Sequence, residues 1–124
     1  IGILTVKPFL PVHIGCLGYL RIGENFAGKI AAAVVSCRRG GATAAFERLN
    51  MYFQMTNMVV ATSQYWNQVH GFTPEDVKKD IEGLQTMRTL AENIAWLLKS
   101  IKSAAKEGVE PPKYEPFTPT HFIR

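Results

Sequence analysis

Apolar residues run without interruption from Ile30 to Val35 (IAAAVV) and stop at the polar turn SCRRGG. A short apolar run bounded by turn residues predicts a strand buried on both faces of a sheet. Three consecutive alanines would also suit a helix, but the stop at SCRRGG favours the strand. From Ala42 to about Met55 the apolar residues Phe46, Leu49 and Phe53 recur at helical spacing, with Glu47, Arg48 and Asn50 between them, which predicts an amphipathic helix. Met58 to Thr62 (MVVAT) reads as a second short buried strand. Strand, helix and strand joined by short links imply a right-handed crossover, and hence a parallel α/β sheet.

Ser63 to Phe72 (SQYWNQVHGF) reads as a long, unusually aromatic loop, of a length that often carries function. Thr73-Pro74-Glu75-Asp76 is a helix start: threonine as cap, proline in the first turn, carboxylates near the positive end of the dipole. The long helix that follows carries its apolar face at Leu84, Met87, Ala91, Ile94, Leu98, Ile101 and Ala105, and Gly83 makes a break near Asp80 plausible. Beyond Gly108 the prolines of VEPPKYEPFTPTHFIR forbid helix or central strand. The chain therefore divides into an α/β domain over residues 1–108, whose first 27 residues follow the pattern poorly, and an extended proline-rich tail over 109–124. Tyr114, Phe117, Phe122 and Ile123 predict that this tail packs on another surface.

Composition narrows the function classes. A chain of 124 residues, 47% hydrophobic and 19% charged, has room for one globular domain with a small core. Its net charge of +4 is mild, and the lysines of the last helix alternate with Glu75, Asp76, Asp80, Glu82 and Glu92. No basic stripe for nucleic acid is expected. No apolar run approaches a membrane span, and the first residues lack the form of a secretory leader, so a cytoplasmic protein without a membrane partner is expected. Cys16 and Cys37, with His13, His70 and His121, show no zinc spacing, so no metal site is expected.

The turn SCRRGG would lie at the carboxyl edge of a parallel sheet, where ligands of open α/β folds bind. Gly40 and Gly41 would let the backbone approach a planar ligand, and the first amides of the next helix would offer unpaired donors. The plainer alternative is a tight turn with solvated arginines.

Three segments, AAAVVSCRRGGATAAFERLNMYF, NMVVATSQYWN and DIEGLQTMRTLAENIAWLLK, together resemble the C-terminal half of flavodoxin-like NADPH-dependent FMN reductases, the relatives of the iron-sulfur flavoproteins. The resemblance covers about Gly28 to Ile101. It implies a flavodoxin-like α/β fold, a parallel sheet flanked by helices and incomplete on its N-terminal side. It also implies bound FMN, with NADPH or NADH as electron donor. Carried over residue by residue, Ser36, Cys37, Arg38, Arg39, Gly40 and Gly41 would lie against the isoalloxazine ring. Tyr65, Trp66 and Asn67 could wall the pocket. Negative charge develops along the N1/O2 edge of a reduced flavin, so backbone donors and a guanidinium would stabilise that form; either Arg38 or Arg39 could supply it. No side chain needs to act as a general acid, and no catalytic residue is assigned.

Residues 1–27 contain neither the family's hydroxyl- and glycine-rich phosphate loop nor its third-strand loop. The chain also opens on Ile1. Either the chain is a reduced flavodoxin relative, with roughly three or four strands, or the sequence joins pieces across residues it does not include, an N-terminal segment with the phosphate loop among them. The absence of an initiator methionine favours the second. His13 to Asn25 is similar to the cysteine segment of iron-sulfur flavoproteins, but Cys16 stands there alone. A cluster needs four thiolates, so no cluster is expected. The function expected is an FMN-dependent NAD(P)H oxidoreductase passing electrons to a quinone, metal, nitro compound or flavin, assembled as a homodimer or homotetramer. The alternative is a non-catalytic oligomerisation or binding module derived from the same fold. A third reading, an unrelated α/β nucleotide-binding domain, rests on the glycine turn alone.

Overall fold

The computed structural model describes residues 26–116 together with 118, 120 and 122. In chain order the elements are β1 (Ile30–Ala31), β2 (Val35–Cys37), α1 (Ala42–Met55), β3 (Val59–Val60), β4 (Gln68–His70), α2 (Pro74–Val77) and α3 (Ile81–Lys106). The described part is an α/β arrangement of two short parallel pairs, β1 with β3 and β2 with β4.

The expected strand from Ile30 to Val35 is divided in two, and its second piece continues through Ser36 and Cys37, so the turn proper begins at Arg38. The division follows from an unequal count: three residues separate β1 from β2, whereas seven separate β3 from β4. Two parallel paths of unequal length cannot stay paired throughout, and the surplus leaves the ladder. Pairing closes on either side of it, through Ala61 N donating to Ala31 O (2.8 Å) and Val35 N donating to Asn67 O (3.0 Å). Ser63 to Phe72 is accordingly not loop throughout, because it contains β4. Its short run Gln68-Val69-His70, set between an aromatic loop and Gly71, is too brief for an alternation to be read.

Helix α1 matches its expected bounds. It starts at Gly41 and ends where Thr56, a buried C-cap, returns its hydroxyl to Tyr52 O (2.9 Å). Asn57 follows at φ 55, the left-handed position that asparagine tolerates after a helix. The core is built from small residues: Ala31, Ala33, Ala42 and Ala61 with Leu49, Val69 and Leu90. Val59, expected to be buried in its strand, is 42% exposed.

The break near Asp80 is present. Thr73 and Asp76 form a reciprocal capping box that starts α2, a single turn, and Asp80 then caps α3 by accepting from Gly83 N (2.9 Å). The same carboxylate accepts from His70 N (2.7 Å), and His70 Nδ1 lies 3.5 Å away. Asp80 thereby joins the end of β4 to the start of α3. The Gly83 amide first, then the His70 amide, hold the Asp80 carboxyl below its ordinary 3.8, because hydrogen bonds donated to a carboxylate favour its charged form.

Helix α3 packs on β4 and β1, but its buried stripe is Gly83, Thr86 and Leu90, in place of the apolar face read from the sequence. The reason is close approach: a Cβ on Gly83 would meet the Gln68 carbonyl oxygen at 3.0 Å and the Asp80 carboxylate nearer still. Small residues therefore lie closest to the strand, while Leu84, Met87 and Ile94 of the bulkier stripe are half-buried. Past Leu90 the contacts of the helix thin out among the described residues: Asn93, Ile94 and Leu97 stay half-buried, whereas Trp96 is 67%, Leu98 39% and Ile101 50% exposed. Residues 109–116 carry no regular element and are exposed. Within them the Tyr114 hydroxyl turns back to lie beside Gly28; Phe117 and Ile123 lie outside the described residues.

Candidate functional site

Strands β2 and β4 run parallel with Cys37 opposite His70, so the turn after β2 and the residues after β4 share one carboxyl edge. Ser36 and Cys37 are strand residues, the first exposed and the second half-buried. Arg38, Arg39, Gly40 and Gly41 form the exposed turn. Gly71 N donates to Cys37 O (3.1 Å), extending the pairing by one residue. Phe72 comes next, and its ring receives the Arg38 guanidinium 4.9 Å from its centroid. Arg39 makes no ion pair among the described residues.

Gly41 is the N-cap of α1 at φ 87, a conformation that costs an L side chain about 1–2 kcal/mol. Glycine there has no side-chain acceptor, so the first-turn amides of α1 receive no cap of that kind. A Cβ built on Gly40 or Gly41 would find no atom within 4 Å. This edge thus combines open space, uncapped amide donors and a guanidinium held by an aromatic ring.

The aromatic loop is constructed differently. Ser63 Oγ donates to Tyr65 O and Asn67 Oδ1, each at 2.6 Å. Helix α3 holds the loop from outside: Asn93 Nδ2 donates to Thr62 O (2.8 Å), and Thr89 Oγ1 donates to Gln64 Oε1 (2.8 Å). Tyr65 and Trp66 remain exposed, with ring centroids 5.2 Å apart, whereas Asn67 is only 2% exposed. Asn67 is therefore an internal brace of the loop. Trp66 leans on α1, where it closes a groove of about 230 Å³ with Thr43, Phe46, Asn50 and Met51 among its walls.

The nine residues singled out from the sequence therefore fall into two groups. Ser36 to Gly41 lie together at the carboxyl end of β2. Asn67 pairs through its carbonyl with Val35, at the amino end of the same strand. Three residues of strand separate these ends by about 10 Å. Trp66 shares the α1 groove with Thr43, whose hydroxyl accepts from Gln68 Nε2 at 3.4 Å. Phe72 and Asp80 were not picked out from the sequence as site residues. The signal that would find Phe72 is position, two residues past the end of β4, whereas Asp80 lies ten residues past that end and is brought to it through the His70 amide.

Among the described residues no group of three or more His, Cys, Asp or Glu side chains could hold a metal ion, and no helix is long and apolar enough to cross a membrane. No family profile matches the chain, and no solved structure matches it. It is similar to an iron-sulfur flavoprotein of Methanocaldococcus jannaschii, with 33% identity over 90 residues, covering 67% of this chain and 47% of that protein. The chain thus spans about half the length of the curated relative it matches.

Proposed function

We propose that the chain is the flavin-facing part of an FMN-dependent NAD(P)H oxidoreductase of the cytoplasm. The observation that carries this reading is the bare turn Arg38–Gly41 at the carboxyl edge of a parallel strand pair, with Gly41 at φ 87. The similarity to a protein named for its flavin supports it. The residues present fit one edge of a flavin ring. Gly40 and Gly41 leave the approach clear, the amides of the first turn of α1 can donate to ring oxygen or nitrogen, and Arg38 brings positive charge to the same edge. When bound, FMN would supply two-electron chemistry between the nicotinamide donor and a quinone, metal, nitro or flavin acceptor. The protein residues hold the ring and favour its more negative, reduced form. No side chain in this set has to move a proton. An iron–sulfur cluster is not part of the proposal, since the sequence supplies two cysteines where a cluster needs four.

The test is titration of the full chain with FMN, followed by visible absorption and flavin fluorescence. Binding is expected, and Gly41→Val should weaken it by tenfold or more, whereas Arg48→Ala, further along α1, should leave it within about twofold. No binding by the wild-type chain, or unchanged affinity in Gly41→Val, would sink the reading.

A second reading, a non-catalytic oligomerisation or binding module, is favoured by the far end of α3, where Trp96, Leu98 and Ile101 are exposed. Both readings propose a homodimer or homotetramer. Light scattering at micromolar concentration should give more than one subunit, and a strict monomer would remove that part of the proposal.

A further inference from the structure

We infer that Phe72 is a positioning residue for Arg38, and that Arg38 rather than Arg39 is the arginine presented to the ligand of the carboxyl edge; this rests on the flavin reading above. The two arginines are equivalent in the sequence, but the fold separates them. Arg38 leaves the end of β2 opposite His70, and two residues past His70 the Phe72 ring stands 4.9 Å from its guanidinium. Phe72 is 72% exposed, so burial in the core does not account for its placement. An arginine over an aromatic face keeps its N–H donors available, because the attraction acts through the ring's π cloud and takes up no hydrogen bond. A long side chain that is already oriented also loses less rotamer freedom when it meets a ligand. Phe72 therefore presents a charge with its orientation set and its donors unspent, whereas Arg39 must be ordered afresh.

The expected size follows from the strength of an exposed cation–π contact, about 0.5–1 kcal/mol, or roughly two- to fivefold in an equilibrium. Affinities of the full chain for oxidised and for reduced FMN are measured anaerobically, and their ratio is compared among variants. Phe72→Leu should lower the preference for reduced FMN two- to fivefold, and Phe72→Tyr should restore it. In an Arg38→Met background, Phe72→Leu should have no further effect, since its influence passes through Arg38. An unchanged ratio in Phe72→Leu, or an effect that persists without Arg38, overturns the inference. A flavin-free measurement separates the two levels of the argument. In ¹H–¹⁵N spectra the Arg38 Nε–Hε signal, assigned by its loss in Arg38→Met, should be ring-shifted in the wild type and return to the ordinary arginine position in Phe72→Leu. If the wild-type signal shows no ring shift, the positioning role fails whether or not FMN binds. If the ring shift is present and FMN does not bind, the flavin reading is what failed, and the role assigned to Phe72 falls with it.

Discussion

The turn Arg38–Gly41 and the loop Thr62–Asn67 are both irregular links that follow a strand, yet they treat their polar groups in opposite ways. The loop uses its polar groups on itself and on α3, through Ser63, Asn67, Thr89 and Asn93. The turn leaves its groups unused: glycine stands where a capping side chain could, and nothing lies where a Cβ would project. An internally satisfied loop is a scaffold element, whose worth is measured in stability. A turn with unspent donors is poised for something outside the chain, and its worth is measured in binding. The two should therefore fail differently.

The largest effect on stability is expected in the loop. Asn67→Ala removes a buried side chain together with its hydrogen bond from Ser63 Oγ, which keeps Tyr65 O as a partner. The lost bond and the space left behind should cost about 1–3 kcal/mol, measurable as a lower urea midpoint, and a loss below about 0.5 kcal/mol would show that the loop is not held as described. Gly41→Val should cost about 1–2 kcal/mol through its left-handed backbone, and should differ from Asn67→Ala in abolishing most FMN affinity. If both variants lose stability and affinity in the same proportion, the contrast between scaffold and turn is broken.

A third variant probes the joint between β4 and α3. Asp80→Asn keeps one acceptor oxygen but replaces the other with an NH2, so only one of the amides of Gly83 and His70 can still be accepted. The lost bond should cost about 1 kcal/mol at neutral pH. The Asp80 carboxyl sits below its ordinary 3.8 in the folded protein. Its charge therefore contributes stability above that value, and the contribution is lost as pH falls through the lower folded value. Urea midpoints of wild type and Asp80→Asn should consequently converge as pH is lowered from 7 to below 3.8. A gap that stays constant across that range would show that the charge is not what matters. The smallest stability effects belong to Arg38→Met and Arg39→Met, each within about 0.5 kcal/mol for an exposed side chain. Arg38→Met should lower the reduction potential of bound FMN, and it should do so more than Arg39→Met.

Much of this arrangement is legible in the residues. Helix α1, the Thr73 helix start and the break near Asp80 all follow from local rules, periodicity and capping, that act within one or two turns of chain. The division of the first strand and the existence of β4 are not local. They depend on how many residues two distant segments place between their pairing points. The buried stripe of α3 eluded the hydrophobic pattern for a related reason. Gly83 and Thr86 are buried because they are small enough to let the helix lie against β4, a criterion of size and not of apolarity. At the candidate site, the arginine–glycine turn announced itself through composition, but Phe72 did not. An exposed phenylalanine beside a proline-led helix start has no signature until strand pairing sets it beside Arg38.

The Asp80 clasp also bears on how the molecule opens. One carboxylate holds the amide of His70 at the end of a three-residue strand and the amide of Gly83 in the first turn of a 26-residue helix. The amides take different oxygens of that carboxylate, Oδ2 for His70 and Oδ1 for Gly83, so any opening that swings the Asp80 side chain away frees the end of the strand and the start of the helix together. In native-state hydrogen exchange these two amides, 13 positions apart in the chain, would share a single opening free energy and form one cooperative unit. The edge that carries Arg38 and Phe72 would then open only as often as the start of the long helix does.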